Sequence, residues 1–254
     1  MNDFQTWIDS RNSQWSNPSG FLAVTSISWL DENPQTFDDV SGSWWAIGHE
    51  VHAIDFEQPG ERVWQLPVGS EINEPMTGGV LEIASRGNRV ILRPRQNDAP
   101  GIQRFSGVST FDYDPELKVE AELIEDTQRV GVSSAAGDLG NSYDSPGRLR
   151  FNLKGEQLEL IGFNRPDPDA LWVIFRDGTS GKSSYGTGRS VTATRLENGK
   201  WAMDFNKSAN FPCSYTDFAT CPLAPRDNYL TVEIAGGEKT PPFRITSQGL
   251  VDQQ

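Results

Sequence analysis

The sequence predicts an all-β fold, a sandwich or barrel of short antiparallel strands with one N-terminal amphipathic helix. Three observations predict it. Apolar residues recur at helical spacing only at the start of the chain. After Gly20 the pattern breaks into short runs separated by Gly, Pro, Asn and Asp. Strands nowhere alternate with long helices, which argues against a Rossmann-like architecture. The 24 glycines and 16 prolines among 254 residues supply the turns such a fold needs.

Phe4, Trp7, Ile8, Arg11 and Trp15 fall three and four apart, so they share one helical face. Asn2 or Asp3 can cap this helix, and Pro18 with Gly20 ends it. Its expected role is to cover a sheet edge or a barrel mouth. Phe21 to Leu30 reads as one strand or two. Trp44 to His52 and Ala53 to Phe56 are interrupted strands. GGVLEIASRGNRVILRP (78–94) is a hairpin turning at Gly87-Asn88. Phe105 to Asp112 and Lys118 to Ile124 continue as strands. Leu149 to Leu153 and Gln157 to Phe163 form a hairpin around Lys154-Gly155-Glu156. Leu171 to Phe175 is apolar on both faces, the mark of a central strand. Tyr185 to Arg195 and Lys200 to Asn206 turn at Asn198-Gly199, and Tyr229 to Ile234 is the last clear strand. Residues 1–254 read as one all-β domain. A soft boundary lies near 95–104, where RQNDAPGIQR has turn composition. The tail after Pro242, FRITSQGLVDQQ, reads as loosely attached.

Lysine and arginine number 22 against 35 acidic residues, a formal net charge of −13. Nucleic acid and anionic lipid are excluded as partners, because both require a positive footprint. No apolar run approaches the ~18 residues of a membrane span. The start, MNDFQTWIDSR, has neither a basic nor an apolar leader region, so a cytoplasmic chain is expected. In that reducing compartment Cys213 and Cys221 are expected as buried thiols, with a disulfide as the alternative.

Several short motifs look like chemistry and fail on spacing. GTSGKSS (178–184) resembles a phosphate loop, but Arg176 stands where the first glycine is needed, and a β-rich run follows instead of a helix. His49 and His52, the only histidines, are three apart and would face opposite ways on a strand. HExxH would need histidine at 53, where Ala53 stands. No G-x-S-x-G elbow supports a serine nucleophile. Asp112, Asp114 and Glu116 lack the Gly turn and further oxygens of a calcium loop. No metal or cofactor is expected.

A polar set on apolar strands carries more weight. In WAMDFN (201–206), Trp201, Met203 and Phe205 share one face, and Asp204 and Asn206 the other. In YGTGR (185–189), Tyr185, Thr187 and Arg189 share a face. These two strands should pair and bring their polar faces together over one cavity. Arg176 and Asp177 end the most apolar strand.

FRDGTSGKSSYGTGR (175–189), DFNKSANFPCSYTDFATCPLAPRDNYL (204–230) and AGGEK (235–239) resemble the signature of domain-of-unknown-function family 1684. SGFLAVTSISWLDE and SPGRLRFNLKG are similar to its N-terminal and middle parts. The chain departs from the pattern at Ser184, Ser208, Ala209, Phe211, Ser214, Phe218, Ala224 and Tyr229, mostly by mild changes. The resemblance groups these residues into one unit and implies no reaction.

That unit is expected to line one pocket. Asp177, Tyr185, Arg189, Asn206, Asn210 and Asn228 are the expected ligand contacts. Asp204 and Glu238 are the candidate acid–base residues, provided desolvation raises a carboxyl pKa. A small polar or anionic ligand fits, because the planar fork of Arg189 can hold a carboxylate or phosphate. Two alternatives remain. Carboxylates converging on one point would mark a hydrolase-like enzyme. Arg189 locked to Asp177 or Asp204, with no cavity beside it, would mark a structural or interaction domain.

Overall fold

The computed structural model describes residues 3–253, apart from the Asp138 side chain. Helix α1 (Asp3–Trp15) forms where the spacing of three and four places it, and Trp15 is its one buried residue. Asn2, one of its two expected caps, lies outside the described residues. Phe21–Ala23 is a turn of 3-10 helix, so only β1 (Ser28–Trp29) remains of the strand expected over 21–30. Then come β2 (Gln35–Phe37), β3 (Val40–Ile47), β4 (Glu50–Ile54), β5 (Glu61–Gln65), β6 (Glu71–Met76), β7 (Gly79–Arg86) and β8 (Arg89–Gln96). They make two four-stranded antiparallel sheets, β2-β3-β4-β5 and β1-β8-β7-β6.

The two sheets form a sandwich. Trp44, Val51 and Ala53 of one pack with Leu81, Ile83 and Leu92 of the other. The Trp44 ring sits 4.9 Å from Phe56 and 5.5 Å from Trp64. The other face of β7 and β8 is also covered. Glu82, which alternation places opposite Leu81 and Ile83, is fully buried with Arg93 and Arg95 around it.

A short helix α2 (Pro100–Arg104) falls in the turn-rich stretch after β8. Phe105 to Asp112 is not a strand. It runs as irregular chain with one bridge, Thr110 to Glu238. Then come β9 (Lys118–Ser134), β10 (Gly137–Leu153), β11 (Glu156–Asn164), β12 (Ala170–Phe175), β13 (Arg189–Arg195) and β14 (Trp201–Asp204). They pair in the order β12-β11-β10-β9-β14-β13, and β12 also pairs with β13. The six strands therefore close into a barrel with no free edge among them. Its interior holds Leu149, Phe151, Val173, Phe175, Val191 and Met203. β9 and β10 are far longer than their apolar stretches predict, because Gly- and Ser-rich residues 131–145 continue the ladder past the core. A bulge between Ser145 and Gly147 bends this hairpin. Gly147 is required there: its φ is 148°, and a Cβ would collide with the Ile124 carbonyl.

Tyr229 to Ile234 is likewise not a strand. β12 already has a partner on each side, so the backbone of this segment bonds beyond the strand end, while Leu230, Val232 and Ile234 pack on the barrel core. Leu230 N–H donates to the Arg176 carbonyl at 2.8 Å and Gly178 N–H to that of Val232 at 2.9 Å. A short β15 (Ala209–Asn210) pairs with the start of β13. The tail is a hairpin, β16 (Phe243–Thr246) and β17 (Gly249–Asp252), and is not loose. Phe243 and Ile245 are buried with Trp15, Leu22 and Tyr215, which gives the hairpin an apolar anchor. No helix among the described residues is long and apolar enough to cross a membrane.

Candidate functional site

The expected site residues fall into separate places. Arg189, which opens β13, is 1% exposed. Its Nη2 donates to Asp177 Oδ2 at 2.7 Å and to the Ile234 carbonyl at 2.9 Å. Its Nη1 donates to the carbonyls of Gly236 and Glu238. Phe111 and Phe175 both lie 5.7 Å from the guanidinium. Burial lowers the Arg189 pKa, and the Asp177 charge opposes that. Asp177 is spent as well, since its Oδ1 accepts from the Thr179 N–H and hydroxyl. With both Nη nitrogens engaged and the side chain buried, the fork is closed to an anion.

Glu238 and Asn210 continue this network toward α1. Arg11 Nε donates to Glu238 Oε1 at 2.5 Å, and the Asn210 N–H donates to Oε2 at 2.9 Å. Arg11 Nη2 reaches the Asn210 carbonyl, and Asn210 Nδ2 donates to the Lys239 carbonyl. Gly237 lets the chain turn here: its φ is 76°, and a Cβ would collide with the Ser208 backbone. Glu238 is thus an anchor for the helix and not a free base.

Asn206, Asn228 and Tyr185 are staples between backbones. Asn206 is fully buried; its Oδ1 accepts from the Asp114 N–H and its Nδ2 donates to the Asp114 carbonyl. Asn228 Oδ1 accepts from the Ile161 N–H, and its Nδ2 donates to the carbonyls of Ile161 and Ile174. Asn228→Ala should therefore lower stability by about 1–3 kcal/mol in a urea melt, the cost of stranding buried backbone groups. Tyr185 lies before β13, not on it, and its hydroxyl donates to the Cys213 carbonyl at 2.6 Å. The common cavity expected between Tyr185, Arg189, Asp204 and Asn206 does not form. β13 and β14 pair only from Ala193–Met203 onward, and Arg189 faces Asn210 instead.

Asp204 is the expected residue that lines a sizeable opening among the described residues. A cleft of about 610 Å³ lies between the first turns of α1 and the outer face of β9, β14 and β13. β14 puts Met203 in the barrel and Asp204 outward by alternation. Asp204 Oδ1 accepts from the Asn206 N–H and side chain, while buried Oδ2 has no hydrogen bond. Lys118 Nζ is 3.7 Å from that oxygen. Lys207 Nζ pairs with Asp3 at 2.5 Å across the mouth. Trp7, Leu196 and Ala202 give the cleft apolar wall, and Thr192 and Thr194 add hydroxyls. Sequence reasoning missed these partners. The outward row Thr192, Thr194 was legible in RSVTATR, but its juxtaposition with Trp7 and Lys118 depends on where α1 docks.

GTSGKSS is a tight turn in which Lys182 meets Glu233, and no helix follows it. His52 stacks on Trp45 and pairs with Glu50, and His49 Nδ1 lies 3.2 Å from the Ser85 hydroxyl. Among the described residues no group of three or more His, Cys, Asp or Glu is placed to hold a metal ion.

The family described as "Protein of unknown function (DUF1684)" matches residues 103–239, more than half of the chain. The protein belongs to the DUF1684 family. The match spans the whole barrel, the Arg189 network and Glu238, and leaves out the sandwich, α1 and the terminal hairpin. Among solved structures, the chain is similar to an uncharacterized protein of Haloarcula marismortui determined by solution NMR. It is 33% identical over 54% of this chain and 78% of its own, with a TM-score of 0.45. No curated protein matches.

Proposed function

We propose that this DUF1684 protein binds a small polar molecule in the cleft between α1 and the barrel, with the Arg189 network as its frame. The observation that carries this reading is Asp204 Oδ2, a buried carboxylate oxygen without a hydrogen bond at the wall of a ligand-sized opening. A buried acceptor left unmade is costly, so a ligand that donates to it recovers free energy. The cleft volume lies within the ordinary range for small-molecule sites, roughly 300–1,000 Å³. Lys118 offers a donor beside Asp204, and Trp7 offers a flat apolar wall. The fitting ligand therefore carries a hydroxyl or amine for Asp204, an acceptor for Lys118 and an apolar or planar part for Trp7. A purely anionic ligand loses its main support, because that idea rested on a free Arg189. Catalysis by Asp204 with Glu238 is also disfavoured, since Glu238 is held by Arg11 away from the cleft lining.

A screen of polar metabolites by protein-observed NMR tests this. Shifts should cluster on Trp7, Thr192, Thr194 and Asp204. Asp204→Asn keeps the Oδ1 acceptor but places an amide toward Lys118, so affinity should fall at least about tenfold. Trp7→Ala should weaken the same ligand. Both variants should lose no more than about 1 kcal/mol of stability, as for substitutions outside the core. Hits that ignore both substitutions would overturn the assignment.

A further inference from the structure

We infer that Cys213 and Cys221 form a dithiol site that a hydroperoxide converts into an intramolecular disulfide. Seven residues separate them, yet the chain folds back so that the Cys213 N–H donates to Cys221 Sγ at 3.3 Å. Both are buried and unbonded to each other in the reduced chain. They sit in one apolar cluster with Val132, Phe163, Ile174 and Phe211, on the outer face of the barrel. Ordinary structural thiols are scattered through a core, whereas this pair shares a single contact. It plays no part in the cleft beneath α1.

The surroundings make the two sulfurs unequal. The Cys221 thiol donates to the Cys213 sulfur, which lowers the Cys213 pKa and raises that of Cys221. The Thr187 hydroxyl, 3.9 Å from Cys213 Sγ, and the Arg244 charge favour the same thiolate. Arg244 is fixed there by its bonds to the Tyr185 hydroxyl and the Cys213 carbonyl. Cys213 is therefore the attacking group and Cys221 the resolving one. A cleft of about 320 Å³ reaches Thr220 and Tyr143, neighbours of Cys221 in the chain and in the cluster. Neither sulfur lines that cleft, and Cys213 is 2% exposed, so hydrogen peroxide reaches the pair through local opening of the loop that carries them.

The step balances with one peroxide. Cys213 thiolate attacks one peroxide oxygen and the O–O bond breaks; the departing hydroxide takes a proton and leaves as water. The resulting sulfenic acid is attacked at sulfur by Cys221, and its hydroxyl leaves as a second water with the Cys221 proton. Each sulfur gives up one electron, and the peroxide takes two. The bond closes a loop carrying Tyr215, whose ring lies 4.4 Å from Trp15 and 5.5 Å from Phe243.

The folded full chain, treated with one equivalent of hydrogen peroxide, then unfolded and alkylated with iodoacetamide, tests the inference. The expected product takes no alkyl group, is lighter by about 2 Da and yields a Cys213–Cys221 cross-linked peptide. Dithiothreitol should restore two alkylation sites, and the oxidised chain should melt higher. In Cys221→Ser the sulfenic acid should persist on Cys213 and be trapped by dimedone. Two alkylated thiols after treatment, mass gains in steps of about 16 Da in the wild type, or disulfides only between chains would each overturn it. The wild-type result stands whether or not the variant folds.

Discussion

Arg189→Ala should destabilise the protein by about 3–5 kcal/mol, enough to unfold a marginal domain at physiological temperature. Removing the guanidinium leaves the Asp177 carboxylate buried without its charge partner. It also removes the donors to the Gly236 and Glu238 carbonyls, while the Ile234 carbonyl keeps the Gly236 N–H at 2.9 Å. Arg189→Lys should recover little, since one ammonium cannot face a carboxylate and three carbonyls at once. A urea melt with unchanged slope reads the loss. A cost of no more than about 1 kcal/mol would mean that the fork is not needed by the frame and is free for a ligand.

Glu82→Ala should be comparably damaging, again about 3–5 kcal/mol. Glu82 is the shared counter-ion of Arg93 and Arg95, and Arg86 approaches the same carboxylate at 3.1 Å. Without it, two buried cations repel each other between the sandwich and the segment carrying Phe218, whose carbonyl Arg93 Nη1 contacts at 3.3 Å. A triple replacement, Glu82→Met with Arg93→Leu and Arg95→Met, separates charge from shape. It should be far less harmful than Glu82→Ala alone, because well-packed apolar groups replace buried ion clusters at little or no cost. Equal losses in both would assign the effect to packing.

The fold class was legible because its signals are local. The hairpins at Gly87-Asn88, Lys154-Gly155 and Asn198-Gly199 each announce themselves within a few residues, and each is present. The stripe of Phe4, Trp7, Arg11 and Trp15 marks α1 by the same kind of short-range rule. The errors fall where partners are distant. Phe105 to Asp112 and Tyr229 to Ile234 have strand composition but find no open edge, because the barrel closes on itself. The tail reads as loose on composition, and only the position of Tyr215 and Trp15 gives Phe243 somewhere to go. The candidate site shows the same limit. Asp177, Arg189, Asn210 and Glu238 belong to one connected unit, as their grouping in the family signature implies. Their connectivity engages each of them, with only the Asn210 Oδ1 left without a hydrogen bond, and a sequence cannot distinguish an engaged polar network from an open one. Asp204 reached the cleft by alternation; Trp7, Lys118 and Lys207 reached it through tertiary docking.

The contact of Arg11 with Glu238 spans 227 positions of the chain. On the ribosome, α1 leaves the exit tunnel about two hundred residues before its partners Asn210, Tyr215 and Glu238. At typical synthesis rates of about 5–20 residues per second, the helix waits for more than ten seconds with Phe4, Trp7 and Trp15 uncovered. The sandwich can close during that interval, since its strands all precede Asn97. The helix cannot dock until Asn210 and Glu238 have emerged. A nascent chain halted before Asn210 should therefore display a protease-sensitive N-terminus beside a protected sandwich, and protection of the first fifteen or so residues should appear abruptly, late in synthesis.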